Sequence, residues 1–71
     1  MDEKAARMIY EASIGNEVRL QDIDNVIHEM NDEERCVWAK KLGNVFRALN
    51  DEIISPIEKV FPHFIGEYNQ N

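Results

Sequence analysis

The sequence predicts an all-α protein, a small bundle of three main helices followed by a short C-terminal helix. Apolar residues recur at three- and four-residue spacing through most of the 71 residues. Strict alternation of apolar and polar residues never persists, and no Asn-Gly or Asp-Gly pair marks a β-hairpin. The length and a hydrophobic fraction of 44% fit a single domain. We assign that domain to residues 1–66 and expect a frayed polar tail at 67–71.

The first helix is expected from about Asp2 to Ile14. Gly15-Asn16 is typical of the left-handed conformation that ends a helix. Tyr10 lies off the apolar stripe and is expected to be partly exposed. The stripe itself consists of Ala5, Met8, Ile9 and Ala12.

The second and third helices are expected to form a hairpin with a short turn at Met30-Asn31. The apolar face of the second helix, about Leu20 to Met30, contains Leu20, Ile23, Ile27 and Met30. Asn31 followed by Glu34 reads as a variant of the capping box that starts the third helix. In that helix Trp38 is interpreted as a core anchor.

Gly43-Asn44 leaves two alternatives for the third helix. It can run through at a cost of about 1 kcal/mol relative to alanine, or it can end near Leu42 and restart at Val45. The unbroken apolar register from Trp38 to Leu49 favours a continuous helix.

The last helix has the clearest local signature. In Ser55-Pro56-Ile57-Glu58 the serine is expected to cap, the proline to occupy the first helical position, and Glu58 to close the box. Pro62 would clash with the carbonyl group of Glu58, so this helix should end after about six residues.

Charge is unevenly distributed along the chain, which has a net charge of −6. Residues 1–34 carry −7, residues 35–49 carry +4, and residues 50–71 carry −3. A net negative charge opposes both DNA binding and binding to an anionic membrane. The segregation is explained either by helix dipoles, with acids at helix starts, or by an acidic surface that docks on a basic partner.

No residue pattern of a catalytic, cofactor or metal site is present in the sequence, so the prediction is a non-enzymatic protein without a cofactor. Cys36 is expected to be an exposed bystander, because no second cysteine can resolve an oxidised form. Asp24 and His28 lack the further ligands that a metal needs and are interpreted as a solvated pair. His63 is expected to be partly buried and hydrogen-bonded. No apolar stretch has the length of a membrane span or a signal peptide, which predicts a cytoplasmic protein.

A chain of this size without a disulfide or a metal usually needs an oligomer or a partner for stability. We therefore predict a homodimer or a partner-stabilised bundle. The apolar residues between Ile53 and Ile65 either close the core or present an aromatic patch for association. The residues predicted to contact a partner are the acidic flank and the C-terminal aromatics: Glu11, Glu17, Asp22, Glu29, Asp32, Glu33, Phe61, Phe64 and Tyr68.

The function predicted from these patterns is a protein-binding regulator or inhibitor that occupies a surface of a macromolecular partner. A nucleic-acid-binding protein is one candidate partner, because its basic surface would suit the acidic flank. The alternative is a helix-turn-helix DNA-binding regulator with its turn at Gly43. In that alternative Arg47 and Asn50 would read base edges, while Asp51 and Glu52 would face the phosphates.

Overall fold

The computed structural model describes residues 1–68, and within this range it is helical with no strand. Helix α1 spans Glu3–Ile27 and α2 spans Asp32–Leu49. A π-helical segment at Asn50–Ile54 leads into α3 at Ser55–Val60, and α4 spans His63–Tyr68. The all-α prediction is confirmed. The distribution of helices differs, because the first two predicted helices are one.

The prediction that Gly15-Asn16 ends a helix is wrong. A C-terminal glycine cap needs a positive φ angle, and none of the described glycines has one. Gly15 instead continues the helix, so that Tyr10 and Ile27 are both buried along α1. Burial of these large side chains outweighs the cost of about 1 kcal/mol for an internal glycine.

Replacing Gly15 with alanine should stabilise the protein by about 0.5–1 kcal/mol, because alanine loses less backbone entropy on entering a helix. The change is free of steric cost, since a Cβ atom at Gly15 meets no heavy atom within 4 Å outside the local helix backbone. Urea unfolding followed by circular dichroism measures the gain. Gly43→Ala is the matched control and should gain about as much, because its site is equally open. A loss of stability in Gly15→Ala would show that a helix break is favoured there.

The buried face of α1 also differs from the predicted stripe. Met8 and Ile9 are exposed, whereas Tyr10 is only 2% exposed and lies in the core. The reason is a contact distant in sequence: the ring of Tyr10 stacks on Phe64 of α4, with 5.4 Å between centroids. The buried residues of α1 are Ala6, Tyr10, Ser13 and Ile27.

The start and continuity of α2 are as predicted. The Asn31 side chain accepts a hydrogen bond from the backbone N–H of Glu34 at 2.9 Å, and its amide donates to the Glu34 carboxylate at 3.2 Å. The helix runs through Gly43 without a break. Trp38, however, is 48% exposed and is not the core anchor. Leu42 is the buried residue of this helix.

Ser55 does not cap a new helix, which corrects the prediction for α3. The chain is already helical at Ser55, whose φ and ψ are −61° and −43°, and the N-terminus of α3 has no side-chain capping bond. A proline inside an α-helix clashes with the carbonyl group four residues earlier. The π-helical segment directly before Pro56 shifts the hydrogen bonds by one residue, with Ser55 N–H donating to the Asn50 carbonyl, and thereby accommodates the ring.

Pro62 ends α3 at Val60 as predicted, and the chain turns so that α4 packs on α1. Two polar contacts hold α4 there. Arg7 pairs with Glu67, and Nε2 of His63 lies 2.6 Å from Oε1 of Glu3. Glu67 and Tyr68 were assigned to the frayed tail but belong to α4, so the boundary of the tail moves. The remainder of the tail, 69–71, lies outside the described residues.

Candidate interaction surface

The core lies at one end of the molecule. Its buried cluster joins the N-terminal half of α1 to the π-helical segment, α3 and α4, and consists of Ala6, Tyr10, Ile54, Ile57 and Phe64. Toward the turn between α1 and α2, the buried apolar residues are Ile27 and Leu42. All residues from Asn31 to Lys41 are exposed. The other end of the molecule is therefore a two-helix hairpin with little interior.

The molecule is elongated as a result. Its radius of gyration is 14.7 Å, whereas a compact domain of this length has a value of about 11 Å. The extents are 45 × 25 × 15 Å, so the molecule is about three times as long as it is thick. Stable domains usually contain two layers that cover each other's apolar sides.

Exposed apolar residues of α1, α2 and the π-helical segment form a surface that we call the open face. Two shallow hollows define it. One lies between α1 and α2 and is lined by Ile23, Trp38, Lys41, Leu42 and Val45. The other is lined by Met1, Ile9, Glu52, Ile53, Pro56 and Ile57. The open face is defined as Ile9, Ile23, Val26, Trp38, Val45 and Ile53, with exposed fractions between 36% and 57%.

A lysine borders the open face beside its tryptophan. Nζ of Lys41 is 5.6 Å from the centroid of the Trp38 ring. At this distance the ammonium group is attracted to the ring face, and the methylene groups of lysine can cover apolar surface while the charge stays in water. Lys41 is therefore compatible with an apolar contact surface.

The six predicted acidic contact residues are all exposed, but they do not form one surface. Glu11, Asp22 and Glu29 are separated by about three and two helical turns and so lie along one side of α1. We call these three residues the acidic edge. Glu17 points to a different side of the helix. Asp32 and Glu33 occupy the first turn of α2, where negative charge favours the helix dipole.

The C-terminal aromatics close the core, which was one of the two alternatives left by the sequence. Phe64 is 0% exposed and stacks between Tyr10 and Phe61, with a centroid distance of 5.2 Å to Phe61. Tyr68 contacts the Tyr10 ring edge-on at 5.2 Å. Phe64 is thus unavailable to a partner in this conformation, whereas Phe61 and Tyr68 are each partly exposed.

The core contains a polar interaction that the sequence did not predict. The Tyr10 hydroxyl donates a hydrogen bond to the Glu58 carboxylate at 2.7 Å. Burial first, and then this carboxylate, raise the pKa of Tyr10 to about 12. At the surface the hydrogen bond from Arg7 lowers the pKa of Glu67. Both interactions tie the C-terminal helices to α1.

The remaining titratable candidates are on the surface. Cys36 is exposed, as predicted. Nδ1 of His28 lies 3.5 Å from the Asp24 carboxylate, a solvated pair as predicted. His63 is half exposed and contacts Glu3.

Residues 1–68 contain no cluster of three His, Cys, Asp or Glu side chains that could hold a metal ion. None of the helices in this range is long and apolar enough to cross a membrane.

Comparison with protein family models, curated proteins and solved structures finds no match for this chain.

Proposed function

We propose that this protein is a non-enzymatic, cytoplasmic regulator or inhibitor that acts by occupying a surface of another macromolecule. The observation that carries the proposal is the acidic edge, three exposed carboxylates along one side of α1. The open face indicates that the chain also associates through apolar residues, because groups of exposed apolar residues mark interaction sites, whereas single exposed apolar residues are ordinary. The hairpin of α1 and α2 buries few of its own side chains, so another molecule that contacts it provides most of its packing.

The acidic edge supplies the charge that would select the partner. Glu11, Asp22 and Glu29 are exposed, and none forms a salt bridge within residues 1–68. The chain as a whole is negative, with a charge of −6. A basic protein surface is attracted to such an edge, and a nucleic-acid-binding protein is one class that has this surface. Occupying it would compete with nucleic acid.

We do not favour the helix-turn-helix alternative. It requires a turn at Gly43 between two helices, but α2 is continuous from Asp32 to Leu49. Arg47 and Asn50 therefore do not begin a separate recognition helix.

Neutralising the acidic edge should weaken capture of a basic partner by about tenfold, because exposed charge pairs contribute about 0.2–1 kcal/mol each. The variant is Glu11→Gln, Asp22→Asn and Glu29→Gln. The protein is immobilised, partners are captured from a native lysate at low and at moderate salt, and bound proteins are quantified by mass spectrometry.

The matched control neutralises the other three predicted acids with Glu17→Gln, Asp32→Asn and Glu33→Gln. Both triple variants have the same net charge. Circular dichroism verifies that the control keeps α2, because Asp32 pairs with Arg35 and negative charge in the first turn favours the helix dipole. A basic protein lost with the edge variant and retained with the control supports the proposal. Equal capture by both variants, or capture insensitive to salt, contradicts the electrostatic part.

A further inference from the structure

The open face is part of a repeating pattern on α1. The residues that face the interior recur at three-, four- and seven-residue spacing and include Ala6, Tyr10, Ser13, Leu20 and Ile27. One position earlier, a second row follows the same spacing: Ala5, Ile9, Ala12, Ile23 and Val26. Adjacent residues are 100° apart around a helix, so α1 has two neighbouring apolar rows. The second row is interrupted in the middle by Asn16 and Arg19.

Helix α2 has the same arrangement. Its inner row contains Leu42, Phe46 and Leu49, which are buried or half-buried. The row one position earlier is exposed and contains Trp38, Lys41, Val45 and Ala48. The hollow shared by Ile23, Trp38 and Val45 shows that the exposed rows of α1 and α2 lie on the same side of the hairpin.

Two apolar rows about 90–100° apart are what each helix of a four-helix bundle needs, because each helix packs against two neighbours. In this chain only one neighbour is present for each helix of the hairpin, over the length where α1 and α2 run alone. A second hairpin of equal length provides the missing second neighbour of each helix. We propose that the open face packs against the open face of a second copy of this chain, forming an antiparallel four-helix dimer.

The accessible surface area of the molecule is consistent with an interface to a second copy of the chain. Its accessible surface is 5448 Å², whereas a compact monomer of 8.3 kDa exposes roughly 4,600 Å². The excess of roughly 850 Å² is close to the roughly 800 Å² that each partner buries in a standard protein interface.

The charges of α1 and α2 favour one of the two ways in which the two copies can stack. Helix α1, Glu3–Ile27, has five acidic and three basic residues and a charge of −2, whereas α2, Asp32–Leu49, has three acidic and four basic residues and a charge of +1. Stacking each α1 on the partner's α2 brings opposite charges together, whereas stacking α1 on α1 brings acid against acid. The favoured arrangement puts both hairpin turns at the same end. The acidic edge stays outside this contact, so dimerisation does not depend on the proposed regulatory function.

The first test is the mass in solution by sedimentation equilibrium over a range of concentrations. The wild-type chain should have twice the 8.3 kDa of one chain. Val45→Glu should raise the dissociation constant by about 100-fold, because it takes a carboxylate out of water, and pairing with Lys41 in the same hollow offsets only part of that cost. Val18→Glu is the matched control. Val18 is more exposed than Val45, with exposed fractions of 65% and 49%, but lies off the open face.

Circular dichroism verifies that both variants keep their helices. If Val45→Glu unfolds, Trp38→Gln is used in its place, since Trp38 is half exposed in the monomer and leaves the core intact. A wild-type chain that stays monomeric at every concentration overturns the proposal. So does a dimer that Val18→Glu weakens as much as Val45→Glu, because the contact would then lie elsewhere.

The arrangement is tested by the distance between spin labels at the hairpin turns. The labelled protein carries His28→Cys in a Cys36→Ser background, which leaves one cysteine per chain. With α1 on the partner's α2, the labels lie about 25 Å apart across two helix diameters. The opposite stacking would separate them by about the full length of 45 Å. The longer distance would contradict the proposed arrangement.

Discussion

Phe64→Ala is expected to destabilise the protein by about 3–5 kcal/mol, the usual cost of truncating a fully buried phenylalanine. The Phe64 side chain is 0% exposed, and it stacks between Tyr10 and Phe61 while the Arg7 guanidinium lies 4.6 Å from its centroid. A single core in a chain this short rarely provides more than about 3–5 kcal/mol. The variant should therefore be largely unfolded at room temperature, measured by circular dichroism and urea unfolding.

Ile65→Ala is the control for this experiment. Ile65 follows Phe64 in α4 but is 40% exposed, so its truncation should cost less than about 1 kcal/mol. Wild type and variants are compared at one protein concentration, because self-association adds to apparent stability. A Phe64→Ala variant as stable as Ile65→Ala would show that α4 does not close the core.

Alkaline pH is expected to destabilise the protein through Tyr10. The pKa of Tyr10 is raised from 10.0 to about 12, so the folded state holds this proton more tightly than the unfolded chain. The contribution of the protonated Tyr10 hydroxyl to the free energy of unfolding is complete below pH 10 and is lost as the pH rises toward 12. The total is on the order of 3 kcal/mol, since the shift is about two pKa units and one unit corresponds to about 1.4 kcal/mol. Urea unfolding at a series of pH values measures it.

Tyr10→Phe removes the titrating hydroxyl and should flatten the stability profile between pH 10 and 12. The variant keeps the stacked ring but loses the bond to Glu58, so it should be less stable at neutral pH by about 1 kcal/mol. Burial also raises the pKa of Tyr68. The tyrosinate absorbance of Tyr68→Phe therefore isolates Tyr10, and ionisation near pH 10 in that variant would contradict the buried hydrogen bond.

The features that were predicted correctly from sequence patterns are formed by residues that are close together in the chain. The capping box of Asn31 and Glu34 and the helix end before Pro62 involve atoms a few positions apart. The same local signals failed where contacts distant in sequence outweighed them. Gly15 stays helical and Ser55 does not cap, because the helices on both sides of each residue are held by packing.

The choice of the buried face of α1 also depends on distant residues. Tyr10 bonds to Glu58, 48 positions away, and Arg7 pairs with Glu67, 60 positions away. Helical periodicity did identify a real apolar stripe at Ala5, Met8, Ile9 and Ala12. It could not show that this stripe lies on the exposed side, since a stripe that faces a core and one that faces a partner have the same spacing. The open face was therefore missed, and Trp38 was assigned to the core.

The central claim is that the open face is covered by another molecule, for which we propose a second copy. The chain has a single tryptophan, Trp38, and it lies on this face. Its emission wavelength and its quenching by acrylamide report directly on coverage. On serial dilution of the wild-type chain, the emission should shift to longer wavelength and quenching should increase, as Trp38 moves from a buried interface to the half-exposed state of the monomer. Emission and quenching that stay the same across the concentration range while the mass changes would contradict the claim.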